Sequence, residues 1–170
     1  RRLGAACPKI LFIGRPHLHV DSLLFHLAHD REVNGLIHVL SDVPDAELLW
    51  YYRQCLFTVY PSIYEGWGVP VGESLALGRY CIASNAASVP EVGGDLVDYF
   101  DPYDTFGCLD LVMRAIADPA YVARREAEIA RRYTLTLWSD VARQTLRHID
   151  AIAPTGMAQA AATRGGGTSR

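Results

Sequence analysis

Short runs of β-forming apolar residues alternate along this chain with stretches of helical spacing, and the connections between them are brief. Lys9–Ile13 (KILFI) reads as a strand ending at Gly14. Val20, Leu23, Leu24 and Leu27 recur at helical spacing over Val20–His29, with Asp21 near the start. Leu36–Leu40 (LIHVL) is a second strand. Asp45–Gln54 is a helix with Leu48, Leu49 and Tyr52 on its inner side. Leu56–Tyr60 (LFTVY) is a third strand, Val69–Leu77 a short helix stopped by Gly78, and Tyr80–Ala83 a fourth strand. Leu96–Phe100 is a very short fifth strand. From Thr105 to about Ile152 the reading is helical, broken near Asp118-Pro119 and around Thr134. Strands linked one after another by helices cannot pair antiparallel through tight turns. The order therefore predicts one parallel sheet with helices on both faces, a Rossmann-like α/β domain.

At 170 residues the chain has room for one such domain and its core. Residues 1–153 are assigned to it. Residues 154–170 lack periodicity and large apolar side chains, and are expected to be a disordered tail. No apolar run is long enough to span a bilayer, and no signal peptide opens the sequence. Cys7, Cys55, Cys81 and Cys108 are widely spaced and read as reduced, mostly buried thiols of a cytosolic protein. Charge is uneven. Residues 21–110 carry fourteen acids against three arginines, a balance of −11, which argues against nucleic acid as a partner of that face. Residues 114–147 carry seven arginines against four acids. That surplus suits an anionic lipid surface or another domain, although a solvated face laced with Glu/Arg pairs is the commoner meaning of such a pattern.

In parallel α/β sheets, ligands gather at the carboxyl ends of the strands. Strand 56–60 delivers the chain to that edge, and the next residues are Pro61-Ser-Ile-Tyr-Glu65-Gly66-Trp67-Gly68-Val69-Pro70-Val-Gly-Glu73-Ser74. Gly66 and Gly68 let backbone approach a ligand without a Cβ clash. The helix start around Val69 and Pro70 offers N–H groups to a phosphate. Glu65 sits in the loop, and Glu73 is expected in the first turn of the helix, where the macrodipole would favour it whatever its role. A carboxylate can accept both hydrogen bonds of a vicinal diol, as found on ribose or a hexose, so the stretch suits a sugar nucleotide. The partial match of Gly66-Trp67-Gly68 to a dinucleotide fingerprint is weak, because the third glycine is out of step and no acid ends strand 80–83. His17-x-His19 and His26-x-x-His29 have no acid or cysteine at matching spacing, and read as loop and helix-surface histidines rather than metal ligands.

The whole string resembles the family-4 retaining glycosyltransferases of the GT-B fold. Pro61, Ser62, Glu65, Gly66, Trp67, Gly68, Pro70, Glu73 and Ser74 match a Glu-x7-Glu frame. Agreement continues through Gly78–Asn85, through Ser88-Val-Pro-Glu-Val-Gly-Gly94, and through Asp101-Pro102-x-Asp104. It covers residues 9 to about 150. Trp67 and the Asp98-Tyr-Phe-Asp-Pro102 run are similar to mannosyltransferase-like enzymes of bacterial surface-polysaccharide assembly. The resemblance implies the C-terminal, donor-binding half of such an enzyme, taking GDP-mannose or a UDP-sugar as substrate, with no metal and no bound cofactor. Glu65 would lie beside the donor sugar near its anomeric region. The N–H groups of Gly66, Trp67, Gly68 and Val69 would hold hydroxyls and phosphate, and Glu73 the ribose diol. The turn around Ser41 and Asp42 would meet the base, and Gly14 and Arg15 would face the same cleft.

The resemblance also implies elements that this sequence does not supply. Relatives carry a first strand and helix with a basic Arg-Lys-Asn-type motif, and an N-terminal acceptor-binding domain as the partner. Arg1-Arg2 is not that motif, and the chain alone is expected to be inactive. Arg15-Pro16-His17-Leu18-His19 and Pro44 also depart from the family pattern. The alternative function is a non-catalytic sugar-nucleotide-binding domain or a degenerate fragment. The expected location is the cytoplasm, with the basic helices set against the partner domain or peripherally at the inner face of the membrane.

Overall fold

A computed structural model of the protein describes residues 3–16, 20–33 and 35–152. After a 3-10 turn at Gly4–Ala6, the elements in order are β1 (Ile10–Ile13), α1 (Asp21–His29), β2 (Ile37–Leu40), α2 (Asp45–Gln54), β3 (Thr58–Tyr60), α3 (Val69–Ala76), β4 (Cys81–Ser84), α4 (Val89–Gly93), β5 (Asp98–Phe100), α5 (Thr105–Ala117), α6 (Pro119–Arg132) and α7 (Trp138–Ile152). The expected alternation is present. The breaks in the long helical stretch fall between α5 and α6 and between α6 and α7. The tail 154–170, Arg1-Arg2, His17 and His19 lie outside the described residues.

All the strand pairs are parallel, but the expected single sheet is divided. β1 pairs with β2, Ile10 opposite Ile37 through Ile13 opposite Leu40. β3, β4 and β5 form a second sheet in that order, with Thr58 opposite Cys81 and Ile82 opposite Asp98. The difference shows in burial. Every residue of β4 is buried, whereas Ile10, Leu11, Phe12 and Ile13 of β1 are each 37–49% exposed despite their apolar side chains.

The core belongs to the three-stranded sheet. Ile82 and Phe100 pack with Tyr80, Ala115 of α5 and Val122 of α6, and with the partly buried Phe57, Leu111, Val112 and Tyr121. Successive side chains of a strand point to opposite faces. Cys81 accordingly lies on the other side of β4 from Ile82, with the hydroxyls of Thr58 and Ser74 beside it, and burial pushes its thiol up to about 11. Ser74 of α3 is buried and hydrogen-bonds Thr58 at 2.8 Å and the carbonyl of Pro70 at 2.8 Å. Helices thus cover both faces of this sheet. Only Cys81 of the four cysteines is buried; Cys7, Cys55 and Cys108 are half-buried, and all four are free thiols. The expectation of mostly buried thiols holds in full for Cys81 alone: Cys108 packs at the edge of the core cluster, and Cys7 and Cys55 follow the ends of the 3-10 turn and α2.

Two glycine ends are demanding. Gly78 adopts φ +69° after α3; its N–H bonds Leu75 O and the Arg79 N–H bonds Ser74 O, the paired closure that a left-handed residue permits. Gly93 ends α4, and a Cβ there would lie 2.3 Å from the Tyr99 hydroxyl and 2.7 Å from Val97 Cγ2. Gly93→Ala is therefore expected to lower stability by about 1–3 kcal/mol, the range for overpacking. Gly66→Ala, with open space at the same test, should cost far less. Thermal unfolding of the two variants checks this, and equal melting temperatures would contradict it.

The chain divides into two compact units, 1–131 and 132–170. In the second, α7 is closed at its start by the Leu137 N–H on Asp140 Oδ2 at 3.1 Å and by an Arg143–Asp140 ion pair. No residue of α7 is buried; Trp138, Leu146 and Ile152 are 87, 60 and 80% exposed. No helix among the described residues is long and apolar enough to cross a membrane.

Candidate functional site

The stretch Pro61–Gly68 leaves β3 at its carboxyl end and is tied down from the neighbouring strand and turn. The Ser84 hydroxyl of β4 donates to the carbonyl of Ser62. The Ser88 hydroxyl donates to the carbonyl of Glu65 at 3.0 Å. Ser88-x-x-Glu91 reads as a capping box for α4. Yet Ser88 makes no side-chain cap; its hydroxyl is taken by the Glu65 loop. The helix α4 itself was not anticipated from the sequence, although that Ser-x-Pro-Glu pattern was its signal.

Gly68 turns the chain into α3 with φ +91° and ψ 50°, a left-handed cap that favours glycine. Val71 and Gly72 donate their N–H groups to the Gly68 carbonyl, and Pro70 has none. No described hydrogen bond takes the N–H groups of Gly66, Trp67, Gly68 or Val69, so these remain the donors of the turn. Trp67 is 56% exposed, and its ring edge lies over Gly72, where a Cβ would come within 3.0 Å of it.

The two glutamates are held by different elements. Glu65 Oε1 accepts from the Tyr60 hydroxyl at 2.5 Å and the Ser62 hydroxyl at 3.0 Å. Burial, with the carboxylate beside it, raises Tyr60 to about 12. Glu73 Oε2 accepts from the Tyr52 hydroxyl of α2 at 2.8 Å. Burial and Glu73 push Tyr52 above its ordinary value. Glu73 is the fifth residue of α3, and no acid stands in the first turn. The expected first-turn placement is thus corrected, and the macrodipole, which falls off within one turn, contributes little to it. Glu73 and Tyr52 line an open groove of about 280 Å³ with Asp45, Leu48, Leu49 and Leu77.

Gly14, Arg15, Ser41 and Asp42 meet at the carboxyl ends of β1 and β2. Gly14 takes φ +146° and its N–H bonds Leu40 O at 2.9 Å. The Ser41 hydroxyl donates to Gly14 O at 3.4 Å. Arg15 donates from Nε and Nη2 to Asp42 Oδ1 at 2.8 and 2.6 Å. Both partners are mostly exposed, so the pair adds little stability. Asp42 itself has φ +55°, a strained value outside glycine. Three groups result: the β1–β2 turn residues, Glu65 with Tyr60 and Ser62, and Glu73 with Tyr52. No described hydrogen bond joins one group to another. Nothing in the amino-acid order marks Tyr52 and Tyr60 as site residues beyond the place of Tyr52 on the inner side of α2.

His29 bonds the carbonyl of Phe25 at 2.8 Å through Nδ1 and stacks on its ring, as a helix-surface histidine does. Among the described residues, no group of three or more His, Cys, Asp or Glu is placed to hold a metal ion.

Comparison with known proteins adds a second line. Residues 9–132 match the family model described as Glycosyl transferases group 1. O-antigen chain mannosyltransferase B of Escherichia coli is 34% identical over 111 residues, 65% of this chain and 28% of that protein. D-inositol 3-phosphate glycosyltransferase of Thermobifida fusca is 34% identical over 110 residues, 62% of this chain and 25% of its own length. MMP alpha-(1->4)-mannosyltransferase of Mycolicibacterium hassiacum is 29% identical, over 67% of this chain and 29% of its own length. The chain thus spans little more than a quarter of these relatives. The crystal structure of TarM superposes with a TM-score of 0.62 at 12% identity, over 81% of this chain and 28% of that one, a likeness of fold.

Proposed function

The chain belongs to the group 1 glycosyl transferases, and on that premise we propose that it is the C-terminal, donor-binding domain of a family-4, retaining enzyme of the GT-B fold. Its ligand is a nucleotide-activated sugar, GDP-mannose or a UDP-sugar, used to extend a glycan or lipid-linked acceptor in surface polysaccharide synthesis. The observation that supports this is the arrangement between β3 and α3: a glycine turn with four uncommitted N–H groups, flanked by two carboxylates each fixed by a tyrosine. The turn suits phosphate and sugar hydroxyl oxygens, which need donors. The carboxylates suit diols, which need acceptors. Glu73 binds the ribose and Glu65 the sugar, where positive character grows as the glycosidic bond to phosphate breaks. Among the described residues, Arg15 at the end of β1 is paired with Asp42 rather than standing free for a leaving diphosphate. That favours, as a second reading, a domain that binds without transferring by itself. The acceptor site belongs to an N-terminal partner domain. The exposed apolar residues of α7 and the basic helices before it lie against that partner or an anionic membrane.

Calorimetric titration with UDP, GDP and dTDP, each with and without EDTA, tests the binding half. One of the three should bind with the same affinity in both conditions, because the site uses N–H groups and carboxylates rather than a metal. Binding of none would sink the proposal, and loss of binding in EDTA would overturn its metal-free form.

A further inference from the structure

We infer that Tyr52 and Tyr60 are positioning residues for the two ligand-binding carboxylates, each fixing one oxygen of its glutamate and leaving the second oxygen to the ligand. The inference rests on the reading of Glu65 and Glu73 given above. Both hydrogen bonds to Glu65, from Tyr60 at 2.5 Å and from Ser62 at 3.0 Å, fall on Oε1. The bond from Tyr52 to Glu73, at 2.8 Å, falls on Oε2. Glu65 Oε2 and Glu73 Oε1 have no described hydrogen bond among the described residues. The tyrosines come from elements other than those carrying the glutamates: Tyr60 ends β3, and Tyr52 stands on α2, 21 residues from Glu73.

The chemistry of the donor matters. A lysine or arginine at either place would form an ion pair and compete with ligand hydroxyls for the carboxylate charge. A phenol holds the carboxylate while leaving that charge intact. Its proton is secure, because burial and the carboxylate raise both phenols above their ordinary value. A glutamate free to rotate loses side-chain entropy on being fixed, and a tyrosine that fixes it beforehand removes much of that loss from the binding step. Glu73 in particular lies outside the first turn of α3, so the helix dipole does not hold it. A half-buried tyrosine hydroxyl also needs an acceptor for its own sake. The test must therefore separate positioning from simple structural satisfaction.

A double-mutant cycle does so. The nucleoside diphosphate of the UDP, GDP and dTDP set that binds the wild-type chain is titrated into Tyr52→Phe, Glu73→Ala and the double variant, each first checked by thermal melting. Tyr52→Phe should weaken binding roughly three- to tenfold, the worth of one hydrogen bond. On the Glu73→Ala background it should add nothing, since there is no carboxylate left to hold. Wild-type affinity in Tyr52→Phe, or an equal loss on both backgrounds, would overturn the inference while leaving the function reading intact. An unchanged affinity in Glu73→Ala, or no nucleotide bound by the wild type, would instead defeat the function reading and the inference with it. Tyr60→Phe and Glu65→Ala form an independent cycle, read with the corresponding nucleotide sugar. It decides the matter if Tyr52→Phe fails to fold, and additive losses there would likewise overturn the assignment.

Discussion

Asp98→Ala should destabilise the 1–131 unit by about 3–5 kcal/mol, the cost of removing one partner from a buried charge network. Asp98 opens β5, and its side chain is 14% exposed. Oδ2 accepts from Tyr80 at 2.7 Å, from Tyr121 at 2.5 Å and from Arg114, and Oδ1 lies 3.2 Å from Arg125 Nη2. Tyr80 is fully buried and the Arg125 side chain is 15% exposed, so neither can turn to water when the carboxylate is gone. Arg125 keeps Glu128 at 2.9 Å and the Asp95 carbonyl at 3.0 Å, so the larger part of the loss falls on the buried Tyr80 hydroxyl. Arg114 is 46% exposed, and its share is small because solvent screens it. Asp98→Asn keeps shape and one acceptor and should cost less than the alanine. Urea unfolding monitored by tryptophan fluorescence measures both. A loss below 1 kcal/mol for the alanine variant would show that the network does not tie β5 to α5 and α6.

Glu73→Ala should weaken binding of a plain nucleoside diphosphate roughly ten- to a hundredfold, from the loss of a charge-assisted hydrogen bond worth about 1.5–3 kcal/mol. Glu65→Gln should cost the sugar-free nucleotide less, because its proposed contact is with the sugar. In a transferase carrying this domain the two should separate in kinetics as well. Ribose contacts are equal in the ground and transition states, so losing Glu73 raises KM more than it lowers kcat. The Glu65 carboxylate stabilises charge that develops only as the donor bond breaks, so Glu65→Gln lowers kcat. Glu65→Gln weakening the plain nucleotide as much as Glu73→Ala would refute this division.

Much of this was legible in the sequence. Asp21 near the start of α1, Gly78 after α3 and the run 105–152 all stand where periodicity and stop residues placed them. These signals are local: a helix or strand period is written within a few residues, and so is the need for glycine at φ +69°. The loop 61–74 could be placed at a strand's carboxyl end for the same reason. Its glutamates could be suspected as acceptors, since a carboxylate accepts hydrogen bonds wherever it lies. Pairing and partnership were another matter. Ile10–Ile13 is apolar throughout, yet among the described strands it pairs with β2 alone and stays half-exposed, because burial depends on which strands come alongside. Ser88 reads like a helix cap, yet bonds the Glu65 carbonyl 23 residues away. Glu73 reads like a first-turn acid, yet begins one turn later and is held by Tyr52. The amino-acid order by itself determined the kind and sequence of elements and the chemical groups available at the loop. Only the tertiary structure decided which groups meet, because a hydrogen bond requires two atoms within about 3 Å, and neighbours at that range are set by packing between distant segments.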